Sequence, residues 1–217
     1  MEKLWIFIRE AFLIANLQIN YLLSEKIVHK KGKHGPLIVV GGVAGFWSYK
    51  HLFPYLIERD VEFYVVDFSW KGGSIDEYTE TLRKFIAKHN IRNFVLVGYS
   101  MGGLVVTRFL QKYDSKILKK VISLGAPYYG NWMSSVFFWN KTYRDMLPSS
   151  HIVHELKNYK PPKDKLVCVY SPKDQYIATG NAVLHGSEAI EISVPGHNRF
   201  LQSHKLDPVF DRYIHMK

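Results

Sequence analysis

The 217-residue chain is short of cysteine, of acid and of long apolar runs. A single cysteine, Cys168, rules out an intramolecular disulfide and any cysteine-cluster metal site. Its neighbours in "KLVCVY" are apolar, which predicts an inert buried thiol. Acidic residues number 19 against 29 basic ones, a formal net charge of +10. That excess reads as a device for solubility or, more sharply, as attraction to an anionic membrane surface, with nucleic acid behind it. The sequence carries no recognisable nucleic-acid-binding motif, so no nucleic-acid partner is expected. No apolar run is long enough to span a bilayer comfortably. The best, Ala11 to Ser24, follows Arg9 and Glu10 and contains Asn16, Gln18 and Asn20. A signal peptide would need an unbroken apolar region and a small-residue cleavage site, and neither is clear.

Apolar residues make up 47% of the chain and aromatics 15%, enough for a sizeable core and too many for a disordered chain. The length suits one catalytic domain, residues 35–217, behind an N-terminal segment, 1–34. In that segment Glu2, Arg9 and Asn16 recur at heptad spacing, a narrow polar stripe on an amphipathic helix. Two readings of the helix stand: packing on its own domain, or lying in a membrane interface or against a partner. The basic run His29-Lys30-Lys31-Gly32-Lys33-His34 reads as a solvated linker. These features suit a cytoplasmic or peripherally membrane-associated protein and leave secretion open.

Beyond the linker, strand and helix patterns alternate. Strands are expected at 36–40, 61–68, 93–99, 119–125, 165–170 and 189–194, and helices at 49–59, 75–90 and 101–113. The strands are mostly continuous apolar runs, as in a sheet covered on both faces. The alternation predicts an α/β fold with a mostly parallel sheet of about six strands. Chemistry in such sheets gathers at the carboxyl ends of the strands.

The third strand ends in Gly98-Tyr99-Ser100-Met101-Gly102, a G-x-S-x-G pattern between a buried strand and a helix. Glycines there permit a sharp turn that holds the serine in a strained, exposed position. A serine hydroxyl needs a base, and the base needs an orienting acid. "SPKDQYI" after the fifth strand offers Asp174, and "VPGHNRF" after the sixth offers His197. Asp145 and Asp164 are the rival acids, and His185 and His204 the rival bases. A tetrahedral oxyanion requires two preorganised N–H donors, assigned to the amides of Met101 and of Val43 in the first strand's "GGVAG" loop. The apolar stretch 131–160 reads either as core helices or as a lid over an acyl pocket lined by Trp132, Phe137 and Phe138. Phe46 and Trp47 sit beside the same mouth.

These motifs resemble the α/β-hydrolase family, and within it the small bacterial lipases and carboxylesterases. "GYSMGG", "LGAPYYGN", "YRDMLPSS", "PKDQYI" and "PGHNRF" carry the likeness, which covers roughly residues 35 to 215. The resemblance implies an ester hydrolase in a minimal version of the fold, with Ser100 as nucleophile, Asp174 as orienter and His197 as base. It implies no cofactor and no metal, and a small-molecule or lipid ester as substrate. Gly41 stands where the family usually has a histidine. An acyltransferase with the same triad, or a hydrolase scaffold reused for binding, remains the alternative at this point.

Overall fold

A computed structural model describes residues 29–42, 46–68, 72–113 and 116–214, together with Trp5, Ile8, Arg9 and Phe12 of the N-terminal segment. The side chains of Phe46 and Trp47 lie outside that description. Seven strands form one sheet: β1 (His29–Lys30), β2 (His34–Val40), β3 (Val61–Val66), β4 (Phe94–Tyr99), β5 (Leu118–Leu124), β6 (Leu166–Tyr170) and β7 (Glu188–Glu191). Their order is β1-β3-β2-β4-β5-β6-β7. Every pairing is parallel except β1 with β3. The basic run is therefore not wholly linker. Its first two residues cap the sheet's edge as an antiparallel strand.

Side-chain alternation explains why the central strands are so apolar. Leu37 and Val39 enter one core cluster, and Ile38 and Val40 the other, on the opposite face. Helices Leu52–Glu58 and Asp207–Ile214 cover the first face; Ile75–Lys88 and Met101–Tyr113 cover the second. Cys168 is fully buried in the second cluster, and burial pushes its thiol pKa up. Both elements of a capping box start the helix Ile75–Lys88: the Ser74 hydroxyl accepts from the Glu77 N–H, and the Glu77 carboxylate accepts from the Ser74 N–H. Buried Arg108 ties three helices together through Asp76 (2.8 Å) and Glu155.

Candidate active site

A sharp turn follows β4. Ser100 is held at φ 54°, a left-handed conformation that costs a non-glycine residue roughly 1–3 kcal/mol. Its N–H donates to Leu124 O at 2.8 Å, and the helix Met101–Tyr113 begins at the next residue. Strand and helix meet almost backbone to backbone. A Cβ on Gly98 would lie 2.2 Å from Gly102 O, and one on Gly102 would lie 2.5 Å from Val40 O. These glycines are what bring Ser100 to the end of β4. The loop after β2 runs beside it, since a Cβ on Gly42 would lie 3.6 Å from the Ser100 Cβ. Val43, the sequence's second oxyanion donor, lies outside the described residues, whereas Met101 heads the helix with its side chain buried.

Asp174 follows β6 and faces His197. Its Oδ2 sits 2.5 Å from His197 Nδ1, and both side chains are under a tenth exposed. Its Oδ1 accepts main-chain N–H groups from Tyr176 (2.8 Å) and Ile177 (2.9 Å), which fixes the carboxylate's rotation. An ionised carboxylate only accepts, so the proton of this contact belongs on Nδ1 and Nε2 is left basic. The Tyr99 ring lies tilted against the imidazole, centroids 4.9 Å apart, and the Tyr99 hydroxyl donates to Asn198 Oδ1 at 3.2 Å.

The three chosen residues converge on Gly125, at the end of β5. A Cβ there would stand 3.5 Å from His197 Cε1 and 3.7 Å from Asp174 Oδ2, while Ser100 is bonded to the adjoining Leu124. Among the described residues no hydrogen bond joins the Ser100 hydroxyl to the imidazole; the ring bonds Asp174, and the His197 main-chain N–H donates to Gln175. The rival acids lie elsewhere. The Asp145 carboxylate accepts from Ile75 N–H at 2.7 Å, and Asp164 precedes β6, where its main-chain carbonyl accepts from Lys120 Nζ. Burial raises the Asp145 pKa, and that N–H pulls it back. His204 pairs with Asp207 at the surface, and His185 is exposed.

One positioning contact escapes the sequence reading. Gln175 Oε1 accepts the main-chain N–H of His197 at 2.9 Å, anchoring the turn that carries the ring. Gln175 adjoins Asp174 in sequence, but nothing in "PKDQYI" says which way its amide turns. Trp132, Phe137 and Phe138 stand exposed, at 74%, 43% and 64%.

A family model for the alpha/beta hydrolase fold matches residues 35–151. The chain belongs to that family. The chain also superimposes on solved structures at identities that speak for the fold alone. Bacillus licheniformis lipase BlEst2 aligns with a TM-score of 0.69 at 15% identity, over 88% of this chain and 96% of that one. The esterase EaEST of Exiguobacterium antarcticum aligns at 0.68 and 16%, over 85% and 93%. A Bacillus anthracis bromoperoxidase aligns at 0.68 and 14%, over 87% and 95%. In sequence, a Mycoplasma genitalium protein whose name assigns it as an esterase/lipase is 31% identical over 110 residues. That match spans 47% of this chain and 40% of the curated relative.

Proposed function

We propose that the chain is a carboxylic ester hydrolase working through an acyl-enzyme on Ser100. The observation that carries this reading is the Asp174–His197 contact of 2.5 Å beside a serine held at φ 54°. Asp174 holds the imidazole with Nε2 free, and His197 takes the Ser100 proton as the hydroxyl attacks the ester carbonyl. The Met101 amide, at the positive end of its helix, and the Val43 amide hold the oxyanion. His197 then returns the proton to the departing alcohol and activates water for deacylation. The named activities of the Bacillus, Exiguobacterium and Mycoplasma relatives lean the same way. Apolar Trp132, Phe137 and Phe138 near this rim favour a hydrophobic acyl group. Trp5, Ile8 and Phe12 are helical and exposed, which supports a membrane or partner contact through the N-terminal segment.

A fluorophosphonate probe tests the assignment. Ser100 is expected to carry the adduct and Ser100→Ala to remain unlabelled; a labelled Ser100→Ala chain would overturn it.

Gln175 supplies a second test. Gln175→Leu loses the acceptor for the His197 N–H and is expected to lower kcat about tenfold with KM little changed. Gln175→Glu keeps an acceptor oxygen and is expected to recover most of that loss. Equal losses in both variants would deny the contact a positioning role.

A further inference from the structure

Between Trp132 and Trp139 the chain displays an apolar ridge. Trp132, Val136, Phe137, Phe138 and Trp139 are all between 43% and 74% exposed. Surface patches of this kind mark interaction sites. The ridge is held outward by its own framework. Asn131 Oδ1 accepts from Met133 N–H at 3.0 Å, capping the 3-10 helix Trp132–Phe137. Asn140 Oδ1 accepts from Thr142 N–H at 2.9 Å, and Arg144 Nη1 donates to Phe138 O at 3.2 Å. The rings lean on one another: Phe137 lies 5.5 Å and Phe138 5.6 Å from Trp139. Part of the backbone's hydrogen bonding is thus met from within, and the rings are left to the outside.

Two observations identify what covers them. Residues 129–144 contain Lys141 and Arg144 and no acid; Lys141 Nζ meets Glu77 Oε1 at 3.1 Å in an exposed pair, and the first acid along the chain, Asp145, is turned inward onto Ile75 N–H. The whole chain carries a net charge of +10. Tryptophan and phenylalanine flanked by basic side chains match the boundary between lipid headgroups and acyl chains, where aromatic rings sit half-immersed and cations meet anionic headgroups.

We infer that the Trp132–Trp139 ridge seats the protein on the surface of an anionic lipid bilayer. The ridge follows the carboxyl end of β5, and Thr142 is bonded to Gly73 O beyond β3, so it stands on the same rim of the sheet as Asp174 and His197. Seating it there turns that rim toward the lipid. The inference stands apart from the hydrolase reading, because lipid binding requires no turnover.

Sedimentation of the full chain with phosphatidylglycerol vesicles, and with phosphatidylcholine vesicles for comparison, tests it. The parent chain and Ser100→Ala are expected to pellet alike with the anionic vesicles, more weakly with the neutral ones, and less as salt is added. Trp132→Ser, Phe138→Ser and Trp139→Ser are each expected to weaken the partition about tenfold. Melting curves matching the parent would certify that these surface variants fold, and each single variant can be read separately. Undiminished pelleting of the triple variant, or no pelleting of the parent, would overturn the inference. So would a loss confined to Trp5→Ser and Phe12→Ser, which would move the contact to the N-terminal segment. A concentration-dependent dimer that the triple variant abolishes, without vesicle binding by the parent, would assign the ridge to a second copy instead.

Discussion

His197→Ala is expected to lower kcat on a p-nitrophenyl ester by about a million-fold, roughly 8 kcal/mol of barrier. Adding Ser100→Ala to it should cost almost nothing more. The hydroxyl is a nucleophile only while a base can take its proton, so either loss disables the same step. Asp174→Asn should cost somewhat less, about ten-thousand-fold, because it leaves both rings and loops in place but favours the wrong imidazole tautomer. The 2.5 Å contact and the two main-chain donors on Oδ1 are what the asparagine disturbs. Steady-state rates of the two single variants and the double variant check this. Losses that multiply would mean that Ser100 and His197 act in separate steps, contrary to the proposed role.

Gly98→Ala is expected to destabilise the fold by about 3 kcal/mol or more, a melting-temperature loss on the order of 10 °C. The added methyl would meet Gly102 O at 2.2 Å, Gly102 C at 2.5 Å and Val106 Cγ2 at 2.7 Å. Two of those atoms are backbone, so no rotamer change relieves them. The helix Met101–Tyr113 would have to lift off β4 and carry Ser100 with it. Gly180→Ala is the matched control: nothing lies within 4 Å of its Cβ, and the change should stay within about 0.5 kcal/mol. Thermal melts of the two variants side by side decide the point. A Gly98→Ala chain melting with the parent would deny that the strand–helix approach needs glycine.

The parts of the fold legible in the sequence are those where both faces of an element share one fate. β4 is buried at every position, and its apolar run betrays it. Pattern failed where the edge of the sheet begins. A two-residue strand of His29 and Lys30 has no apolar signature and is defined only by its pairing with Phe63 and Tyr64. At the other edge the apolar run 189–194 outlasts the ladder. β7 ends at Glu191, while Ile192, whose N–H still donates to Tyr170 O of β6 at 2.8 Å, and Val194 go on into the core. Asp174 could be preferred to Asp145 because topology puts chemistry after a strand, and the carboxylate facing His197 is Asp174. Hydropathy alone could not separate Trp139, exposed, from Tyr128, fully buried, since each is a large aromatic in the chain that follows β5. What decides between them is which residue meets Thr107 across the core, a partner more than twenty positions distant.

The two rims of the sheet have a bearing on the protein's fate before it reaches any substrate. One ends in two residues, His29 and Lys30, and the other in four, with Glu188 engaged by Arg212 and Tyr213. Five apolar central strands would template cross-strand recruitment of a neighbouring molecule if their flanks lay bare. Short, charged selvedges deny a nascent or crowded copy any length of ladder to extend, which keeps so apolar a sheet from seeding fibres.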